Sequence, residues 1–95
     1  MEPQIEHRDS SADGAFYVGN ANRLLAEMTY RRTGPSIISV DHTEVDTSLR
    51  GQGIAQRLLA ALVNWARVSD TKVIPLCSFA KSQFDNDPSI RDVLA

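Results

Sequence analysis

The sequence predicts an α+β fold in which antiparallel strands precede a parallel strand-helix-strand unit and a short C-terminal helix. Turn residues divide the first half of the chain into short segments, with clusters at residues 9–14, 19–22 and 33–35. Apolar and polar residues alternate along the strand that ends at Val45, and the apolar spacing then takes the period of a helix from Gly53 to Val68. This change of period separates a meander of strands from the strand-helix-strand unit.

Length and composition indicate one hydrophobic core. The chain has 95 residues, of which 42% are hydrophobic and 23% are charged, so we expect a single domain over residues 1–95. Ten basic and twelve acidic side chains give a net charge of −2, which argues against a broad nucleic-acid-binding surface. Residues 1–49 carry a net charge of −4 and residues 50–95 a net charge of +2. The second half is therefore the better candidate to hold an anion.

Cysteine usage and hydropathy predict a cytoplasmic protein. Cys77 is the single cysteine, which excludes an intrachain disulfide and a zinc site built from several cysteines, and we expect no metal. Residues 1–10 lack the apolar segment of a signal peptide, and no apolar run approaches the roughly 18 residues of a membrane span. We therefore expect the protein to stay where it is made, with no membrane partner.

Three strands are predicted early in the chain, from Ile5 to Arg8, from Ala15 to Val18 and from Arg23 to Arg32. The third segment contains good helix formers, so a helix is the alternative there. We assign a strand because apolar and polar residues alternate from Leu24 to Tyr30, with one exception at Leu25.

The clearest strand runs from Ile37 to Val45. Its alternation predicts that four side chains share one face, namely Ile38, Val40, His42 and Glu44. His42 then lies beside Glu44, about 7 Å away in an extended strand, which is the span of one bridging water.

The second half predicts a helix from Gly53 to Val68, a strand from Lys72 to Cys77 and a helix from Ser78 to Asn86 that is capped by Ser78. One more helical turn is predicted within Pro88 to Ala95. The strands on either side of the first helix should pair in parallel through a right-handed crossover.

The segment Asp46 to Ala55 joins the clearest strand to the clearest helix. Gly51 and Gly53 let the backbone turn tightly and approach a ligand, and the first helical turn presents unpaired N–H groups at the positive end of the helix dipole. Arg50 adds a charged donor suited to phosphate oxygens, and Gln52 is a further donor. The segment is neither a Walker loop nor a complete dinucleotide fingerprint. From these residues alone, an anion site and a plain strand-to-helix turn are both open.

The run Arg-Gly-Gln-Gly-Ile-Ala at residues 50–55 resembles the R/Q-x-x-G-x-G/A signature of the GNAT N-acetyltransferase superfamily. The stretches His-Thr-Glu-Val at residues 42–45 and Pro-Leu-Cys at residues 75–77 resemble a small single-domain branch of it. The resemblance covers Ile37 to about Pro88, and residues 1–36 are similar only as a set of antiparallel strands. It implies a GNAT-like mixed sheet whose fourth and fifth strands splay apart to admit acetyl-CoA. The residues implied to contact this cosubstrate are Val45, whose amide is the expected oxyanion donor, Arg50, Gly51, Gln52, Gly53, Ile54 and Ala55.

The resemblance also implies a reaction in which an amine attacks the thioester of acetyl-CoA, which requires a proton acceptor and an acid. Glu44 is the candidate base and His42 could share the proton relay. The alternatives are a solvated carboxylate and a hydrogen-bonded structural histidine. Cys77 is the candidate acid or transient acetyl carrier, and the alternative is a small buried side chain. Many superfamily members place a tyrosine acid after the fifth strand, where this chain has Phe79 and Phe84.

The predicted function is an acetyl-CoA-dependent N-acetyltransferase that acts on a primary amine of an unidentified acceptor. The superfamily that the chain resembles usually has longer domains with further segments that close over the acceptor, so we expect an open acceptor site here, suited to a protein or peptide. A non-catalytic acyl-CoA-binding or sensing module is the alternative, and an interaction domain with a fortuitous Gly-x-Gly turn is a third possibility. The sequence leaves open whether the protein is a monomer or a homodimer.

Overall fold

A computed structural model describes residues 3–20 and 22–95, so Ala21 of the predicted turn at residues 19–22 lies outside the described residues. The sheet has five strands in chain order: β1 (Glu6–Asp9), β2 (Asp13–Gly19), β3 (Leu24–Gly34), β4 (Ile37–Val45) and β5 (Lys72–Pro75). Strands β1 to β4 are antiparallel, and β5 pairs with β4 in parallel. The predicted mixed sheet is confirmed.

Helices follow the strands in the predicted order: α1 (Ile54–Val68) joins β4 to β5, and α2 (Ser78–Asn86) follows β5. Short 3₁₀ segments occupy Thr47–Leu49 and Pro88–Val93. The second of these stands where a further turn of α-helix was predicted. In the described part of the chain, no helix is long and apolar enough to cross a membrane.

The strand assignment for β3 is confirmed over the helical alternative. Ala26, Met28 and Tyr30 are buried at alternate positions, as the two-residue period predicts. Leu24 belongs to the same period but is 47% exposed, because it lies at the end of the strand. Pairing with β2 on one edge and β4 on the other decides the conformation against local helix propensity.

The core lies between the sheet and the apolar stripe of α1. Leu58 and Leu62 are fully buried there, and burial of such a side chain contributes about 1.5–3 kcal/mol. The stripe packs against β2, β3 and β4. The polar residues of β3 therefore lie on the opposite face of the sheet. On α1, Trp65 extends the apolar stripe toward the β1 edge.

Four polar side chains close the β1 edge of the sheet: His7, Asp9, Tyr30 and Arg32, which we call the edge cluster. The Tyr30 hydroxyl donates to Asp9 Oδ1 at 2.7 Å and lies 2.8 Å from His7 Nε2. Arg32 Nη2 donates to both Asp9 carboxylate oxygens, at 2.8 and 2.7 Å. Every side chain of the cluster therefore has a polar partner within it.

Aromatic rings pack around the edge cluster. His7 stacks on Phe16 with ring centroids 4.0 Å apart, and its edge contacts Trp65 at 5.0 Å. Burial lowers the pKa of His7, and burial together with the hydrogen bond to Asp9 raises the pKa of Tyr30. The cluster is thus stable with a neutral imidazole and a neutral phenol.

Strand β4 contains one extra residue, Asp41. On β3, Thr29 lies opposite His42 but the next residue, Tyr30, lies opposite Val40, so Asp41 has no partner on that strand. This is a β-bulge, in which two residues of one strand oppose one residue of its neighbour.

The bulge overturns the predicted face of β4. Ile38 and Val40 are buried on the α1 side, whereas beyond Asp41 the exposed residues are His42 and Glu44. The prediction that these four share one face is wrong, because the extra residue reverses the alternation. The narrower prediction that His42 and Glu44 share a face is confirmed.

Candidate active site

Strands β4 and β5 separate halfway along β4. Their parallel register ends at the pair Val40 and Pro75. The amides of Leu76 and Cys77 then both donate to the Val40 carbonyl, at 2.9 and 3.0 Å, so β5 ends before the predicted boundary at Cys77. Strand β4 continues to Val45 without a strand beside it on this edge among the described residues. We call this opening the fork.

Backbone groups of β4 point into the fork. The Asp46 amide donates to the Leu25 carbonyl at 2.7 Å, so these two residues form a hydrogen-bonded pair. Such pairs alternate along antiparallel strands, which directs the N–H and C=O groups of Thr43 and Val45 away from β3. Within the part of the chain that the structure describes, the fork therefore offers unpaired backbone donors and acceptors to an extended ligand.

Cys77 lies at the fork and caps α2. Its Sγ accepts a hydrogen bond from the Ala80 amide at 3.4 Å and lies 3.2 Å from the Thr43 hydroxyl. The predicted cap at Ser78 is wrong, because Ser78 is the first helical residue and the sulfur takes the capping role. The thiol is half-buried rather than enclosed in the core.

The loop after β4 begins with a capped 3₁₀ turn. Asp46 accepts a hydrogen bond from the Ser48 amide at 3.0 Å and another from the Ser48 hydroxyl. These hydrogen bonds lower the pKa of Asp46. The loop is thereby held by its own residues and keeps a fixed approach to α1.

Two glycines complete the loop in left-handed conformations, Gly51 at φ 82° and Gly53 at φ 72°. Glycine is required at both positions, since other residues are strained there. Gly53 caps α1 without a side-chain hydrogen bond, and the first helical bond runs from the Arg57 amide to the Gly53 carbonyl at 3.1 Å. The amides of Ile54 and Ala55 precede that bond and have no hydrogen-bond partner among the described residues. They lie at the positive end of the helix dipole, and the first helical turn holds no acidic residue.

Arg50 has an exposed side chain, and among the described residues it makes no ion pair. It lines an open cavity of about 380 Å³ together with Glu27, Glu44 and Asp46. Gln52 directs its side-chain amide back to the Ser48 carbonyl at 3.4 Å, a weak contact within the loop. The amides at the positive end of the helix dipole suit a diphosphate, and Arg50 belongs to the same loop.

His42 and Glu44 form an exposed pair on the side of the sheet away from α1. His42 Nε2 lies 3.5 Å from Glu44 Oε2, so the two side chains approach directly rather than across the 7 Å predicted for one water. Thr43 points the other way, toward Cys77. The structure therefore brings the predicted base and its histidine together, and Cys77 lies with Thr43 instead.

Thr43 is a site residue that sequence reasoning did not single out. Its hydroxyl reaches Cys77 because the bulge at Asp41 turns it toward the α1 side. The run His-Thr-Glu-Val indicated that this part of the strand belongs to the site. The direction in which each of its side chains points depends on the cross-strand register, which the run does not show.

Comparison with known protein families shows which family this chain belongs to. Residues 15–93 match the family model of the GCN5-related N-acetyl-transferase. The chain belongs to the GCN5-related N-acetyltransferase family. The match begins in β2, so the GNAT relationship extends beyond the segment from Ile37 to Pro88 that the motifs covered. Acetylation that depends on acetyl-CoA is general to this family.

Solved structures agree with the GNAT assignment. A GCN5-like protein from Staphylococcus aureus, solved by NMR, is 40% identical, with a TM-score of 0.74 over 95% of this chain and 87% of that one. Ribosomal-protein-alanine N-acetyltransferase from Brucella melitensis biovar Abortus 2308 is 21% identical, with a TM-score of 0.62 over 81% of this chain and 62% of that one. An acetyltransferase-fold protein from Bacillus anthracis str. Ames, solved with acetyl coenzyme A, is 15% identical. Its TM-score is 0.58 over 82% of this chain and 47% of that one. Among curated proteins, none matches the sequence.

Proposed function

We propose that this chain is an N-acetyltransferase that uses acetyl-CoA to acetylate a primary amine of a protein or peptide. One observation carries the proposal: β4 leads from the open fork directly into the loop that starts α1. Unpaired backbone for a thioester arm and an anion site for a diphosphate therefore adjoin each other in one continuous segment. The family relationship supports the same ligand, and a cytoplasmic location, suited to the free thiol of Cys77, is part of the proposal.

The loop is proposed to hold the diphosphate. Arg50 supplies the charged hydrogen bonds, and the free amides from Gly51 to Ala55 point at the anion. Gln52 and Ile54 belong to the same set, Gln52 by its backbone amide, since its side chain faces Ser48. The positive second half of the chain supports an anion here.

The fork is proposed to hold the thioester arm, which supplies the activated acetyl group. Thr43 and Val45 direct their backbone groups toward it. The Val45 amide then donates to the carbonyl oxygen on which negative charge develops during acetyl transfer, as an oxyanion donor. A donor fixed by strand pairing requires no rearrangement when that charge appears.

Glu44 is proposed as the general base. It takes a proton from the acceptor ammonium, directly or through a water, so that the free amine can form the new N–C bond. His42, 3.5 Å away, accepts the proton from Glu44 and passes it to solvent, because both side chains are exposed.

Cys77 is proposed as the acid. It protonates the sulfur that leaves when the C–S bond breaks, and it regains the proton from solvent. The Thr43 hydroxyl, 3.2 Å from Sγ, and the Ala80 amide stabilise the charge left on Cys77. A transient acetyl group on Sγ is the other role open to Cys77, and Phe79 and Phe84 have no hydroxyl to replace it.

The open surroundings of Glu44 support an extended acceptor. The 380 Å³ cavity beside Glu44 adjoins a second depression of about 340 Å³, and the two share Leu24 and Glu27. Open depressions of this kind admit a chain segment more readily than they enclose a small metabolite.

The test is release of free thiol from acetyl-CoA in the presence of small primary amines and lysine-containing peptides. We expect acceptor-dependent release with peptides, reduced in Arg50→Ala and kept in Arg31→Ala, which removes an exposed guanidinium from β3. Binding of coenzyme A without release for any acceptor would instead identify a non-catalytic acyl-CoA-binding module. Absence of binding would refute both functions.

A further inference from the structure

A side-chain hydrogen bond spans the bulge of β4. The Thr29 hydroxyl on β3 donates to Asp41 Oδ1 at 2.6 Å and lies 3.5 Å from the His42 carbonyl. One hydroxyl thus contacts both residues that share a single position opposite β3. Hydrogen bonds to a carboxylate are among the stronger ones in proteins, so this contact is well suited to hold an irregular strand.

The bulge lies where the fork begins. Val40 is the last β4 residue that pairs with β5, and Asp41 is the next residue in the chain. Beyond it, Thr43 points toward Cys77 and Glu44 points to the opposite face. Without the extra residue the register would slip by one, and these side chains would exchange faces.

We propose that Thr29 and Asp41 are positioning residues for acetyl transfer. Their hydrogen bond fixes the bulge, and the bulge fixes which way the residues beyond it point: Thr43 and Val45 toward the fork, and Glu44 to the opposite face. Neither residue of the pair touches the reacting atoms in this scheme. The inference rests on the proposed function, because it assigns the pair to the strand segment that receives the thioester arm.

The decisive variant is Thr29→Val, which keeps the shape of a β-branched residue and removes the hydroxyl. Coenzyme A should bind about tenfold more weakly, because its arm contacts the strand beyond the bulge. Adenosine 3′-phosphate 5′-diphosphate, which keeps the diphosphate and lacks that arm, should bind as it does to the wild type. A variant that is merely less stable would show the same loss of affinity for both ligands.

Matched variants sharpen the result. Thr29→Ser keeps the hydroxyl and should restore coenzyme A affinity to within about threefold of the wild type. Thr33→Val alters an exposed threonine of the same strand and should change nothing. Asp41→Ala should reproduce the effect of Thr29→Val, and the double variant should be no worse than either single one, since both remove the same bond.

Two failures can be told apart. If the wild type binds coenzyme A and Thr29→Val binds it equally tightly, the positioning role is wrong and the proposed function stands. If the wild type binds neither coenzyme A nor adenosine 3′-phosphate 5′-diphosphate, both proposals are wrong. A faster or slower alkylation of Cys77 in Thr29→Val, by threefold or more and without any ligand, would support the link from the bulge to Thr43 and Cys77. An unchanged rate contradicts that link.

Discussion

The edge cluster and the fork lie at opposite edges of one sheet and are built on opposite principles. In the edge cluster, Tyr30, Asp9 and Arg32 satisfy one another, and aromatic rings pack around them. In the fork, two strands part, and no strand of the described residues 3–20 and 22–95 lies beside the outward backbone groups of Thr43 and Val45. The molecule thus separates a region that stabilises the fold from a region that is open to a ligand. Substitutions at the two regions should separate in the same way.

The largest expected effect is on catalysis at the fork. Glu44→Gln removes the proposed base and should lower kcat by about 100-fold, the lower end of the range for general base catalysis. Coenzyme A affinity and thermal stability should not change, because the side chain is exposed. Steady-state thiol release measures kcat, and Glu6→Gln, an exposed carboxylate on β1, is the control. Full activity in Glu44→Gln would remove this residue from the mechanism.

Next in size is the effect of Arg50→Ala on binding. Loss of a charge-assisted hydrogen bond costs about 1.5–3 kcal/mol, which is roughly tenfold to 100-fold in Kd for coenzyme A. Calorimetry measures the affinity, and Arg31→Ala is the control. The melting temperature should stay the same in both variants, because Arg50 makes no ion pair among the residues that the structure describes. If Arg50→Ala lowered the melting temperature without weakening coenzyme A binding, Arg50 would belong to the part of the molecule that stabilises the fold and not to the ligand site.

At the edge cluster, Gly14→Ala should lower stability and leave binding intact. A Cβ at this position would clash with the Tyr30 hydroxyl and the Arg8 carbonyl. We expect a loss of about 1–3 kcal/mol in the free energy of unfolding, typical of overpacking. Chemical denaturation measures it, with Gly34→Ala as the control, since a Cβ there meets only ordinary contacts. Weaker coenzyme A binding in Gly14→Ala would show that the two regions are coupled.

The smallest effect concerns pH. Burial lowers the pKa of His7, so the folded state takes up a proton less readily than the unfolded state. Stability is therefore full above the ordinary histidine pKa of about 6.5 and falls as the pH drops through it toward the folded value. The free energy of unfolding should decrease from pH 7.5 to pH 5, and the decrease should be smaller in His7→Gln. Equal decreases in the two proteins would mean that His7 does not contribute.

Local patterns were sufficient to predict most of the fold. The alternation in β3 and the helical period of α1 follow from burial on one face, which each segment records in its own sequence. The glycines at residues 51 and 53 likewise predicted the loop, because a left-handed backbone conformation favours glycine whatever the surrounding structure.

Features that depend on two distant segments were not predictable. The bulge at Asp41 follows from its register against β3, which no pattern within β4 records. For the same reason the faces of His42 and Glu44 were assigned incorrectly relative to Ile38 and Val40. The edge cluster joins β1 to β3 through side chains more than twenty positions apart in sequence.

The most direct test of the proposed site is a titration of the protein with coenzyme A in which each backbone amide is followed by NMR. We expect saturable shifts at Val45, Gly51, Gly53 and Ile54, with the amides of His7 and Tyr30 unchanged. Shifts centred on the edge cluster, or none that saturate, would contradict the assignment of the fork and its loop as the coenzyme A site.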